Sequence, residues 1–162
     1  MMLTICFYRK TNNEMKRIFL ILFILFAVSL ANQLFAQSST KLVDLCNESA
    51  GDDVTYLKDY IVELQGAAPG EKQTPARYSM ALQMNTTYRI TVCNTEGSQG
   101  SAIAEFYDMN RLIGTNYNAA TGKEAKQFMF FCSKAGVYHL IIHFQDNKPG
   151  KAVCIVSFKS KI

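Results

Sequence analysis

The sequence predicts an all-β fold: an antiparallel β-sandwich of about eight strands, preceded by a cleavable signal peptide. Three observations predict it. Apolar and polar residues alternate at period two in short runs. Turn-forming clusters recur every 8–15 residues. No stretch carries a convincing amphipathic helical period. The clearest stretch is residues 125–144, AKQFMFFCSKAGVYHLIIHF. It reads as two strands, Gln127–Cys132 and Val137–Phe144, joined as a hairpin across Ser133–Gly136, with Gly136 supplying positive φ. Tyr138, Leu140, Ile142 and Phe144 share one face against His139, Ile141 and His143. Phe128, Phe130 and Cys132 share one face against Met129 and Phe131.

The N-terminus reads as a targeting segment. Met15-Lys16-Arg17 is a basic start, and Ile18–Leu30 is a 13-residue run broken only by Ser29. A membrane-spanning helix needs about 20 apolar residues, so the run reads as a signal core, with no membrane span left after cleavage. Cleavage is expected after Ala36, with Ala31 as the alternative, and either Met1 or Met15 is the start. Residues 1–36 then form the leader and 37–53 a polar segment; 54–162 form the sandwich domain. Of 17 Lys+Arg and 13 Asp+Glu, the leader holds Arg9, Lys10, Lys16, Arg17 and Glu14, leaving 13 against 12. That near-neutral balance calls for no nucleic-acid partner. Removing 36 residues from 162 leaves 126, the size of one domain.

Along the rest of the chain, Lys41–Cys46 reads as a helical turn or an edge segment. Val54–Leu64 sets Tyr60, Val62 and Leu64 against Ile61 and Glu63. Gly66–Pro75 is a loop, and Arg77–Gln83 turns Tyr78, Met80 and Leu82 inward. After a turn at Asn85, Thr87–Asn94 places Tyr88, Ile90 and Val92 opposite Arg89, Thr91 and Cys93. Strands Ala102–Tyr107 and Leu112–Thr115 flank a tight turn at Asp108–Arg111, and Asn116–Glu124 is a polar loop. Gln145–Lys151 is a turn region before the last strand, Ala152–Phe158.

From about Tyr60 to Phe158, this order resembles the bacterial pre-peptidase C-terminal domain, a jelly-roll-like sandwich attached to secreted peptidases. The matching residues are Tyr78-x-Met80-x-Leu82, Asn85-Thr86-Thr87-Tyr88-x-Ile90-x-Val92, the Asp108–Arg111 turn with Leu112, and Phe128-x-Phe130 leading to Gly136-x-Tyr138-x-Leu140-x-Ile142. The resemblance implies a non-catalytic binding or accessory module and names no ligand. Four cysteines past the leader, Cys46, Cys93, Cys132 and Cys154, are not part of that pattern. Export makes them disulfide candidates, and four allow three connectivities. With jelly-roll order, the third and last strands are neighbours, which favours Cys93–Cys154 and leaves Cys46–Cys132.

Chemical motifs are near-misses. His139 and His143, on one strand, lie about 13 Å apart at about 3.3 Å per residue, too far to share one ion. Residues 97–101 are out of register for a nucleophile elbow, and Gly122-Lys123-Glu124 lacks a phosphate loop's hydroxyl and spacing. Asp52-Asp53 and Asp108/Asn110 read as turn chemistry ahead of calcium ligation. No Cys-x-x-Cys pair occurs. The sequence therefore points to no enzyme and no cofactor. It reads as a secreted or periplasmic domain that binds an unknown protein or glycan. One alternative is a carbohydrate-binding module of the cell surface; another is an enzyme with an unadvertised site. The ligand-contact candidates are Tyr56, Tyr107, Tyr117, His139 and His143, since tyrosine near strand ends offers stacking surface.

Overall fold

The computed structural model describes residues 41–159; the signal segment and its cleavage sites lie outside them. A helix, α1, spans residues 41–50. Ten strands follow: β1 (Thr55–Leu64), β2 (Ala76–Leu82), β3 (Thr86–Asn94), β4 (Ala102–Asp108), β5 (Arg111–Thr115), β6 (Tyr117–Asn118), β7 (Lys123–Glu124), β8 (Gln127–Cys132), β9 (Gly136–Phe144) and β10 (Gly150–Lys159). Eight of them lie where alternation placed strands. The other two, β6 and β7, are a two-residue pairing inside the stretch expected to be loop, closed by a turn at Gly122 with φ +66°.

The eight long strands form two antiparallel sheets, β1-β10-β3-β8 (sheet A) and β2-β9-β4-β5 (sheet B). One apolar core lies between them. Sheet A contributes Tyr60, Val62, Tyr88, Ile90, Cys154 and Val156; sheet B contributes Phe106, Tyr138, Leu140, Ile142 and Phe144. This is the layering of a β-sandwich, in which each strand turns alternate side chains inward. Phe130 meets Phe106 and Tyr138 across the gap at centroid separations of 5.3 Å, and those two stack beside each other on sheet B at 5.7 Å. Tyr60 and Tyr78 do so at 4.3 Å.

The expected central hairpin does not form. Strand β8 pairs with β3 in sheet A, whereas β9 pairs with β2 and β4 in sheet B. Residues 133–135 thus carry the chain from one layer to the other. Gly136 begins β9, is absent from the positive-φ residues, and a Cβ there would meet nothing within 4 Å. Alternation assigned the faces correctly, but sequence adjacency is no guide to partners once a connection crosses layers. Positive φ is instead found at Asn85 (57°) and Met109 (52°), within the turns anticipated there.

The sequence also understated α1. Its sheet-facing residues are Leu42, Val43, Cys46 and Ala50, which follow helical spacing in a stretch too short to register as an amphipathic period. They pack on the outer face of sheet A against Val153 and Ile155. Strand β10 is consequently buried from Ala152 to Ser157 on both faces.

This arrangement overturns the expected disulfides. The bond is Cys46–Cys93, with S–S 2.09 Å and Cα–Cα 5.8 Å, and it ties α1 to the outer face of β3. Strands β3 and β10 are neighbours, as expected. Their register, however, sets Cys93 opposite Val153 and Cys154 opposite Val92. Side chains one residue apart point to opposite faces, so Cys93 turns outward and Cys154 turns into the core. Cys132 and Cys154 are free and buried. Burial pushes the Cys154 thiol up to about 12. The Cys132 thiol donates to the Lys134 carbonyl at 3.2 Å, as does the Tyr138 hydroxyl at 2.7 Å. Burial, together with Cys132 beside it, raises Tyr138 to about 12.

Candidate functional site

The two sandwich faces differ in what covers them. On sheet A, α1 is fastened by the disulfide and by Arg89, which donates to the Ala50 carbonyl at 2.5 Å and to both oxygens of Asp53 at 2.6 and 2.9 Å. Lys159 adds an ion pair to Asp53 at 3.7 Å. On sheet B, the outward residues of β9 are only half-buried, although Ile103 of β4 is buried on the same side, and pleat alternation brings functional groups there in rows.

Cross-strand register builds these rows. Ser79 of β2, His139 of β9 and Tyr107 of β4 are successive neighbours, with Leu112 of β5 beyond. The next row is Arg77, Ile141, Glu105 and Thr115. His143 and Ile103 follow. Ser79 Oγ and His139 Nδ1 lie 3.0 Å apart. The Tyr107 hydroxyl donates to Glu105 Oε2 at 2.9 Å, and His143 Nε2 stands 4.0 Å from Glu105 Oε1. Tyr107 is raised above its ordinary value of 10, first by burial and then by the Glu105 carboxylate, with the Arg77 charge opposing. An open depression of about 610 Å³ is lined by Arg77, Tyr107, Met109, Asn110, His139 and Ile141.

Five tyrosines and histidines were singled out in the sequence, and the structure divides them. Tyr107 and His139 adjoin and both line the depression. His143 shares their face, displaced toward Ile103. Tyr56 stands on the other sheet, exposed and hydrogen-bonded to Asp59, whose carboxylate raises its hydroxyl. Tyr117 belongs to the β6–β7 pairing. The preceding Asn116 anchors it, accepting from Ala104 N at 2.8 Å and donating to the Ala102 carbonyl at 3.0 Å. Tyr117 therefore lies toward the far end of β4 from Tyr107.

Sequence reading missed Arg77, Glu105, Met109 and Asn110. Arg77 and Glu105 sit on outward registers of strands whose partners were not legible. Met109 is three-quarters exposed at the tip of the β4–β5 turn. Among the described residues Arg77 makes no ion pair and no side-chain hydrogen bond, leaving five donors directed at the depression's surroundings.

The chemistry of the face rests on how its polar groups are engaged. Ser79 and His139 are a hydroxyl–imidazole pair, but the nearby carboxylate, Glu105, is engaged with Tyr107 and approaches the other histidine. An activated nucleophile needs its base oriented by a third group. No set of three or more His, Cys, Asp or Glu side chains converges as a metal site among the described residues. Nor is any described helix long and apolar enough to cross a membrane.

No family model matches the chain, and no curated protein is similar to it in sequence. Solved structures similar to it include the following two. One is a periplasmic inhibitor of g-type lysozyme from Aeromonas hydrophila, at 12% identity and TM-score 0.47, over 64% of this chain and 87% of that one. The other is the pre-peptidase C-terminal domain of a Bacillus anthracis collagenase, at 19% identity and TM-score 0.45, over 63% of this chain and 89% of that one. The second belongs to the family that the strand order resembles.

Proposed function

We propose that the chain is an exported, non-catalytic binding domain that docks a protein partner on the open outer face of sheet B. The observation that carries this reading is the difference between the two outer faces. Sheet A spends its outer surface on a disulfide-tethered helix. Sheet B offers a depression where a guanidinium unpaired among the described residues, an aromatic ring, an imidazole and the apolar Met109 and Ile141 adjoin. Aromatic and arginine side chains dominate the energetics of protein interfaces. The jelly-roll-like order is part of the same reading, since the long strands run β1-β10-β3-β8 and β2-β9-β4-β5. The apolar run at Ile18–Leu30 and the Cys46–Cys93 bond favour a secreted or periplasmic location.

A photoreactive residue installed at Tyr107 tests this in producing cells, with the same residue at Tyr56 as the control. A defined adduct at 107, lost on Arg77→Ala and absent at 56, is the expected result. Equal adducts at both positions would remove the assignment to sheet B. A glycan ligand is the second reading, favoured by the half-buried Tyr107 lining the depression. Glycan-array binding abolished by Tyr107→Ala would replace the protein partner with a sugar.

A further inference from the structure

The two sheets have four edges, β1 and β8 in sheet A, β2 and β5 in sheet B. Exposed edges invite pairing with other chains, and proteins blunt them with charge, proline, bulges or brevity. Strand β1 carries Lys58, Asp59 and Glu63, and its register shifts between Tyr56 and Lys58. Strand β2 carries Arg77 just after Pro75. Strand β5 has five residues and a shifted register against β4. Strand β8, QFMFFC, has none of these devices: no charge, no proline, and an unbroken register with β3.

Its free side can be specified residue by residue. The Lys126 carbonyl accepts from Val92 N at 2.8 Å, and the Cys132 carbonyl from Asn85 N at 2.7 Å, both on the β3 side. In an antiparallel ladder, the N–H and C=O of one residue point the same way and alternate along the strand. The backbone groups of Gln127, Met129 and Phe131 therefore face away from β3, and among the described residues no backbone hydrogen bond reaches them. The Met129 and Phe131 side chains are also 53% and 59% exposed on the outer face.

Two lysines bracket this edge. Lys126 and Lys134 are exposed and unpaired among the described residues. A second copy added antiparallel about Phe130 would set Lys126 against the other copy's Lys134, and like charges directly opposite are destabilising. An occupant with acidic ends meets the same lysines favourably.

We propose that β8 is a strand-addition site for an extended segment of a partner protein, apolar at its centre and acidic at both ends. Its backbone pairs with Gln127, Met129 and Phe131, while its terminal carboxylates reach Lys126 and Lys134. Main-chain hydrogen bonds supply affinity in such complexes, and side chains supply selectivity. This site is on the opposite sheet from the docking face proposed above and stands or falls separately.

The test uses protein purified from producing cells and two synthetic peptides, Asp-Thr-Val-Thr-Val-Thr-Val-Asp and the same peptide with lysine at both ends. Amide exchange at Met129 and Phe131 is expected to slow on adding the acidic peptide. The lysine-ended peptide should bind about tenfold more weakly, the scale of several exposed charge pairs reversed. Met129→Pro removes one outward N–H without touching the β3 ladder and should abolish the protection. Should that variant fail to fold, Phe131→Glu, which leaves the ladder intact, should weaken acidic-peptide binding about fivefold or more. Unchanged exchange at 129 and 131 under saturating peptide would overturn the proposal, as would equal affinity for the two peptides. A concentration-dependent dimer protecting the same amides without peptide would overturn it in favour of a second copy.

Discussion

The outer faces of the two sheets are built from the same alternating pattern yet do different work. On sheet A, Val153 and Ile155 point outward and are fully buried, because α1 lies over them and Cys46–Cys93 holds it there. On sheet B, the equivalent outward positions hold His139, Ile141 and His143, which are half-buried. A strand apolar on both faces needs cover on both; one with imidazoles on its outer side tolerates water. Stability is thus concentrated in one outer face, and chemistry is left available on the other.

The largest expected contrast comes from truncating one isoleucine on each face. Ile155→Ala should cost about 2–5 kcal/mol, the range for buried aliphatic truncation. Ile141→Ala should cost about 1 kcal/mol. Urea unfolding at equal slope measures both, and similar losses would break the distinction. Replacing Cys46 and Cys93 together by serine should cost about 2–4 kcal/mol, because the bond closes a long loop, while leaving sheet B's exchange pattern unchanged.

A smaller effect of opposite sign is expected beneath the helix-covered sheet. Thr91 is fully buried and its hydroxyl has no partner among the described residues. Thr91→Val keeps the shape and removes that unsatisfied group, so a gain of about 1 kcal/mol is expected. An unchanged or lower melting temperature would show that the hydroxyl is satisfied.

The Arg89–Asp53 fastening carries a pH signature. The Arg89 hydrogen bond chiefly holds the Asp53 carboxyl below its ordinary 3.8, against a desolvation effect in the other direction. A depressed folded-state pKa contributes stability above 3.8 that is lost as pH falls through the lower folded value. Melting curves of the protein and of Asp53→Asn should therefore differ near neutrality and converge below pH 3.8; parallel curves would remove the fastening role.

The smallest effect should be at Gly136. A hairpin turn there would have made Gly136→Val costly. In β9, with open space around its Cβ position, the change should stay within about 0.5 kcal/mol.

Much of the fold was legible locally. Alternation in β1, β2, β3, β8 and β9 grouped the side chains that share a face, and one group on each strand lines the core, because the pleat requires period two whatever the partner. The run from Ala152 to Ser157 was different. It is nearly all apolar, so its two faces cannot be told apart by pattern, and the orientation of Cys154 was lost with them. The candidate site was legible only in part. Tyr107 and His139 stood out by residue type, whereas Arg77 and Glu105 gained meaning only when β2, β9 and β4 aligned them.

Local pattern suffices to say which side chains share a face on most strands, where many of the turns fall, and that β-structure dominates. Only long-range contacts settle that β8 and β9 part into separate sheets, that Cys46 joins Cys93, and that α1 covers the outer face of sheet A. The reason is one of range. Facing is set by neighbours two residues away, whereas strand partners, and the helix that covers one of two similar faces, are selected by contacts among residues tens of positions apart.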